Sequence, residues 1–346
     1  MGSLRRGAGA FMQGACPPDK GPHEVGTAAL LSGRGGRVVQ TPQHPTAVKA
    51  EERRREATRA LTAVVPGGPR PPDKRPLRMW SAGMDLRSRG ILNVRAGKRW
   101  WDNSIHPPAQ ELAELVEHYW EVHWDLRGHE PYTQHTLSNA SVHFVMERGR
   151  SRIQGVVTGR FTRVLDGRGR VFGIKFRPAG FRPFLKSSVS ALTDSTLPVS
   201  EVFGPDGDAL AEQIVSLEDP PRTLELADAF IRERLPAPDP TVQTVNQIVE
   251  LIVSSRSITR VADVQELVSM GKRTLQRLFN EYVGVSPKWV IQRYRLHDAA
   301  GRLAAGENLD LAALALDLGY FDQAHFVRAF KTVVGKAPAE YARGAK

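Results

Sequence analysis

At 346 residues the chain has room for two domains and a tail, and its formal net charge of +11 favours a polyanionic partner over an acid-repelling one. The one cysteine, Cys16, excludes an internal disulfide and a cysteine-based zinc cluster, in keeping with a reducing cytoplasm. No stretch of roughly 18 apolar residues is present to span a membrane, and the start lacks an apolar core followed by a cleavage site, so the expectation is a cytoplasmic protein without a membrane partner.

The charge is unevenly spread. Residues 1–83 hold 14 Lys+Arg against 6 acids, with 12 Gly and 10 Pro and no sustained period. Such a composition predicts a disordered basic tail, with at most a short helix in Ala47 to Val65. One reading makes it an arm that clings to DNA; the preferred expectation is that translation starts at Met84, or at Met79, and that the tail is not made. Residues 84–240, with 20 basic against 21 acidic side chains, are nearly neutral, and residues 241–346 are again basic, 14 against 10.

In the middle region Leu112, Leu115, Val116 and Tyr119 fall at helical spacing after Pro107-Pro108, predicting a helix over Ala109 to Tyr119. Short β-type runs follow: Tyr119 to Leu126, Thr133 to Leu137, Val142 to Glu147, Arg152 to Thr158, Phe161 to Leu165 and Val171 to Phe176, separated by turns such as Asp166-Gly167-Arg168-Gly169. So many short strands predict a small β-barrel or sandwich, closed to protect its edges. Ala179 to Leu185, Asp208 to Ser216 and Thr223 to Leu235 read as helices, and Pro236 to Pro240 as a linker. Trp120 and Trp124 share one strand face, which suits ordinary core or the lining of an aromatic pocket. Histidines 106, 118, 123, 129, 135 and 143 invite a metal reading, but no His-x-His occurs to start a metal-cupin ligand set. No Gly-rich phosphate loop, Gly-x-Ser-x-Gly or His-Glu-x-x-His is present, and Cys16 stands outside any fold that could use it as a nucleophile.

The last hundred residues contain one segment twice. At an offset of 51 residues Arg277 falls on Arg328, Phe279 on Phe330, Val283 on Val334, Gly284 on Gly335 and Pro287 on Pro338. Upstream, Val261-Ala262-Asp263-Val264 falls on Leu311-Ala312-Ala313-Leu314 at an offset of 50. The one-residue change lies where a turn joins two helices, so the plan is helix, turn, helix, twice over. In the first copy Val261, Val264 and Val268, then Leu275, Leu278, Phe279 and Tyr282, form apolar stripes; Lys272, Arg273, Gln276, Arg277 and Asn280 occupy the opposite face of the second helix. In the second copy Leu311, Leu314 and Leu318 pack, Gly319 suits a left-handed turn, Asp322 caps, and Phe326 and Phe330 anchor a helix that leaves Gln323, His325, Arg328 and Lys331 outward. A solvated polar face would explain any one of these residues, but hardly the basic exposure repeated with the core. Arg, Lys, Gln and Asn are the side chains that bond base edges in the major groove or phosphates beside it.

Arg273-Thr274-Leu275-Gln276-Arg277-Leu278-Phe279, Gly284-Val285-Ser286-Pro287, Arg293 to Leu296, Ala299-Ala300, Leu318 to Phe326, Phe330, Gly335 and Pro338 together make residues 241–346 resemble the DNA-binding domain of the AraC/XylS family of bacterial transcription regulators. The resemblance implies two helix-turn-helix units joined by a long helix, here Lys288 to Ala304, that enter successive major grooves of double-stranded DNA. One departure stands out: Ser269 and Gly271 occupy places where the family usually has Gly and Ser, and a left-handed serine costs about 1 kcal/mol. More weakly, His118-Tyr119-Trp120, Trp124, Gly173 to Pro178, Ala179-Gly180-Phe181 and Leu197-Pro198-Val199 make residues 90–235 resemble the cupin-like domain that precedes this module in some relatives. That implies a barrel for a small-molecule effector, with helices that pair subunits.

The expected whole is α+β: a disordered tail (1–83), a cupin-like β-barrel with flanking helices (84–235), a linker (236–240) and an all-α double helix-turn-helix domain (241–346). The expected function is a DNA-binding transcription regulator, acting as an activator or a repressor, monomeric or homodimeric, with RNA polymerase a further partner and neither cofactor, metal nor catalytic residue. The alternative is a metal-dependent cupin-type enzyme fused to a DNA-binding module.

Overall fold

The computed structural model describes residues 101–307 and 309–345. The tail, its short helix and the expected start at Met84 lie outside the described residues. Eight strands come first: β1 (Trp101–His106), β2 (Val116–Asp125), β3 (Tyr132–Leu137), β4 (His143–Glu147), β5 (Arg152–Gln154), β6 (Arg160–Leu165), β7 (Arg168–Phe176) and β8 (Thr196–Leu197). Their hydrogen bonds make an antiparallel six-stranded sheet, β1-β2-β7-β4-β5-β8, and a two-stranded ribbon, β3-β6. The β-domain is thus an open, sandwich-like form of the expected barrel, with hydrogen bonding divided between a large layer and a small one.

Alternation decides what each face of the large sheet meets. Tyr119, Phe144, Met146, Ile153, Phe172, Ile174 and Phe176 point to one side and are buried against three helices, α1 (Val199–Phe203), α2 (Pro205–Ser216) and α3 (Pro220–Glu233). Each fully buried phenylalanine there is worth about 1.5–3 kcal/mol in apolar transfer. The aromatic rings interlock: Phe144 meets Phe203 at 5.5 Å between centroids, and Phe203 meets Phe230 of α3 at 5.4 Å. The intervening residues, His118, Trp120, His143, Val145 and Lys175 among them, face the β3-β6 ribbon across a cavity.

Two segments depart from the periodicity reading. Leu112, Leu115, Val116 and Tyr119 are all buried, but only Gln110–Leu112 makes a helical turn, of the 3₁₀ type. From Val116 onward the chain pairs with β7 as a strand, with a register shift between Val116 and His118. The run His118-Tyr119-Trp120 favours extended backbone, and ladder pairing overrides a helical spacing that is too short to nucleate alone. Ala179 to Leu185 likewise shrinks to one 3₁₀ turn, Arg182–Phe184. β1 was hidden because Asp102, Asn103 and Ser104 read as turn formers; as an edge strand it tolerates them.

The helical half follows its pattern closely. It comprises α4 (Pro240–Ser254), α5 (Val261–Val268), α6 (Lys272–Leu278, ending in a π turn over Phe279–Val283), α7 (Pro287–Ala304), α8 (Leu311–Asp317), α9 (Gln323–Val334) and α10 (Pro338–Ala345). Two cores form, and α7 serves both. Val290 and Ile291 near its start join the core of α4, α5 and α6; Leu296, Ala299, Ala300 and Leu303 near its end join that of α8, α9 and α10. On α7, Ile291, Leu296 and Leu303 are buried while Trp289 and Tyr294 are half-buried. The same helix buries two arginines. Arg295 donates to the carbonyls of Ile252 and Ser255, closing the end of α4. Arg293 donates to Thr158 and Gly159 of the β-domain and stacks on Trp289 at 4.7 Å.

Candidate nucleic-acid interface

The turn of the first unit keeps the strained geometry its sequence implies. Ser269 ends α5 in the left-handed region at φ 50° and ψ 39°, and Gly271 precedes α6 in extended conformation. Asp263 ties the start of α5 by accepting from the amides of Thr259 and Arg260, both at 2.9 Å. α6 has no side-chain cap and carries Lys272 and Arg273 in its first turn. Both features work against an isolated helix, since cations at an N-terminus oppose the helix dipole. Burial of Leu275, Leu278 and Phe279 holds it in place.

The second unit begins differently and ends alike. Gly319 turns at φ 80°. Asp322 caps α9, its carboxylate accepting from the amide of His325 at 2.6 Å. Phe326 and Phe330 are fully buried beneath, ring to ring at 5.7 Å. Both units stop at a glycine of nearly the same conformation, Gly284 at φ 89° and ψ −11° and Gly335 at φ 89° and ψ −8°.

All the predicted interface side chains lie exposed on α6 with its π turn, or on α9: Lys272, Arg273, Gln276, Arg277 and Asn280 on the first, Gln323, His325, Arg328 and Lys331 on the second. Among the described residues Lys272, Arg273, Arg328 and Lys331 have no acidic partner. Arg277 has a loose one, Glu281 at 3.5 Å, which Arg182 approaches more closely at 3.1 Å. Asn280 accepts from the hydroxyl of Ser190 at 3.1 Å, and the ring of His325 lies edge-on to Tyr320 at 5.1 Å. Sequence reasoning passed over Phe321, which is 88 % exposed immediately before the cap of α9. Only its position beside an outward helix, in a motif read for its core residues, could have flagged it.

The β-domain touches both units at their terminal glycines. Thr193 donates to the carbonyl of Gly284 at 2.7 Å, and the guanidinium of Arg160 lies over Gly335 and reaches the carbonyl of Val334 at 3.4 Å. A Cβ on Gly284 would stand 2.9 Å from the Thr193 hydroxyl, and one on Gly335 only 1.7 Å from Arg160. These glycines therefore supply both a left-handed helix stop and room for the neighbouring domain.

Between the β layers lies a cavity of about 300 Å³, walled on one side by Asn246, Val249 and Val253 of α4 and Tyr294 of α7. Trp120 and Trp124 both line this cavity. Trp124 is buried and packs with Trp101, Leu126 and Leu165 in a small core, whereas Trp120 is half-buried. Burial holds His118 and His143 uncharged at neutral pH, pushing them down to about 4 and about 3. Lys175 and Glu117, also in the wall, pair at 2.8 Å.

The double helix-turn-helix defines the class of the C-terminal half, and comparison with known proteins agrees. Residues 266–344 match the family described as "Helix-turn-helix domain", and residues 104–198 match "Domain of unknown function (DUF6597)". A putative AraC-like transcription regulator of Streptomyces lividans is 35% identical over 81 residues, covering 23% of this chain and 26% of the relative. An uncharacterized HTH-type transcriptional regulator of Haemophilus influenzae is 27% identical over 94 residues, covering 27% of this chain and 31% of the relative. The chain therefore spans less than a third of the length of either relative. Among solved structures, a probable AraC family regulator from Rhodopseudomonas palustris is 25% identical, covering 30% of this chain and 98% of that one, at a TM-score of 0.28. ToxT from Vibrio cholerae is 12% identical, covering 71% of this chain and 98% of its own, at a TM-score of 0.32. Residues 266–344 are thus similar to the helix-turn-helix module of AraC-like regulators, and the β-domain ahead of them is consistent with a cupin-like one.

Proposed function

We propose that the protein is a sequence-specific, double-stranded-DNA-binding transcription regulator, controlled by a small molecule bound in the β-domain cavity. The observation that carries this is the repetition of an outward polar face, rich in Arg, Lys and Gln, on the second helix of each unit. On this reading Lys272, Arg273, Gln276 and Arg277 enter one major groove, and Gln323, His325 and Arg328 the next. Asn280 and Lys331 contact phosphates, and Phe321 lies against a thymine methyl or a sugar.

The β-domain is given a binding role and no catalysis, and the protein acts in the cytoplasm with RNA polymerase as a further partner. Its cavity reaches α4 and α7, so an occupant would bear directly on the module's framework, biasing the placement of the two units.

Sequencing the genomic DNA recovered with the tagged full-length protein tests the reading. Discrete sites holding two sub-motifs about 10 bp apart are expected. Recovery spread evenly along the genome would overturn it.

A further inference from the structure

The cavity wall carries more information about its occupant than size alone. In the β2–β7 register Trp120 stands opposite Gly173, and a Cβ on that glycine would lie 2.1 Å from the indole. The ring is therefore laid against the sheet over the glycine, and its N–H donates to Nδ1 of His143 at 3.1 Å, which fixes its tilt. The device recurs two pleat repeats along the strand, where Trp124 covers Gly169 and donates to the carbonyl of Asp166 at 3.0 Å. A small residue beneath a fixed indole gives a flat aromatic surface at the cavity edge, without the entropy cost of ordering it on binding.

Three acids of the wall already have cationic partners: Glu117 pairs with Lys175, which is 7 % exposed, Glu121 with Arg170, and Glu147 with Arg163 and, at 3.8 Å, with Arg152. Of the other wall charges, Arg177 donates to the carbonyl of Ala113, and Glu250 makes no ion pair among the described residues. At these pairs a charged ligand would have to leave one member unpaired, a costly arrangement in low dielectric. Hydrogen-bond donors, by contrast, stand ready. With its Nδ1 accepting from Trp120, the neutral His143 carries its proton on Nε2. The indole N–H of Trp101 and the hydroxyl of Ser141 are buried with no hydrogen-bond partner among the described residues, and both residues line the cavity. Buried donors left unmade cost about 1–3 kcal/mol each, so a ligand that accepts from them recovers that loss.

We propose that this cavity takes an uncharged, planar aromatic molecule bearing acceptor oxygen, such as a phenol or aromatic carbonyl compound, stacked on Trp120 and accepting from His143, Trp101 or Ser141. This deepens the effector reading, and rests on it only for the consequence at DNA. The ligand would sit against Val249 and Val253 of α4, whose Asn246 bridges to the β-domain through the amide of Ala179 at 2.9 Å and the carbonyl of Glu114 at 3.1 Å.

The test uses full-length protein titrated, by calorimetry and tryptophan quenching, with four probes: 2-naphthol, 2-naphthoate, 2-naphthylmethylamine and decanol. Saturable binding of 2-naphthol is expected, at least about tenfold tighter than that of the other three. Ser141→Ala and Trp120→Phe should each weaken it several-fold while the melting temperature of the free protein stays close to the parent's. Equal or tighter binding of the naphthoate, the amine or decanol overturns the assignment, as does no binding of any probe at millimolar concentration or indifference to both variants. The same probes are then added to the protein on its recovered DNA sites. Selective 2-naphthol binding without change in DNA affinity supports the ligand class and sinks the effector reading. A naphthoate- or decanol-driven change in DNA affinity does the reverse.

Discussion

The two helix-turn-helix units share a backbone plan but not a way of being stable. α9 is capped by Asp322 and has no cation in its first turn; α6 starts at Gly271 without a side-chain cap, opens with Lys272 and Arg273, and finishes in a π turn. Their attachments differ as well. The first unit meets the segment around Val189–Leu192, through Thr193 on Gly284 and Ser190 on Asn280, with Arg182 pairing with Glu281. The second meets the β3-β6 ribbon, through Arg160 on Val334 and Leu137 within its core. Duplication preserved what packing demands, the buried aromatics and the glycine stops. It left free what the surface decides, the cap and the charge. The first unit gives up local helix stability for a cationic helix start and leans on the neighbouring domain; the second stands more on its own sequence.

Substitutions can test that contrast. The largest effect is expected from Phe330→Ala and Phe279→Ala, both fully buried. Each should destabilise by about 3–5 kcal/mol in denaturant unfolding, and because α7 spans both cores either should abolish DNA binding. If the first unit depends on its neighbours as described, Phe279→Ala will also raise amide exchange around Val189–Leu192, and Phe330→Ala will not. Next come the arginines. Arg328→Ala should cost about 1–3 kcal/mol in DNA affinity and relax selectivity at one base position. Arg277→Ala should fall at the lower end, because Arg277 must first leave Glu281, an exposed pair worth at most about 1 kcal/mol. Uniform weakening on all sequences would show that these arginines hold phosphates instead. Asp322→Ala should remove about 1 kcal/mol of stability by loss of the cap, seen as a lower melting temperature, whereas Gly271→Ala in the uncapped copy should cost only a few tenths. Smallest is Ser269→Gly, expected to stabilise by about 0.5 kcal/mol, the relief of a left-handed serine less the added freedom of the unfolded chain. No gain there would mean the serine is not strained.

Much of the helical half was legible beforehand, and the reason is local. Offsets of 50 and 51 between repeats, a Gly and a Pro at fixed places and apolar positions at helical spacing each constrain the backbone within a few residues. The exposure of the nine proposed interface side chains was legible on the same basis, since a helix with one buried stripe must expose the other. In the β-domain the same rule misled. Leu112 to Tyr119 has helical spacing and is buried, yet Val116 onward is a strand because β7 is there to pair with it. Nor could the sequence divide Trp120 from Trp124: both lie over a glycine and line the cavity, but only Trp124 is also packed into a core. Arg293 and Arg295 were visible as part of a motif and silent as to burial. Their guanidinium groups are buried because carbonyls of a distant loop and a helix end converge on them.

By itself, then, the sequence determined a duplicated helical module with a basic outer face, because helix periodicity, caps and stops are short-range matters that each residue settles with its near neighbours. Tertiary structure alone decided that the β-domain rests on both terminal glycines, that Glu117, Glu121 and Glu147 of the cavity wall meet cations, and that Trp120 stays half-open on that wall while Trp124 is buried in it. Those outcomes depend on which strands lie side by side and on carbonyls and carboxylates up to 174 positions away in the chain, where pairing and desolvation, not local propensity, set the free energy.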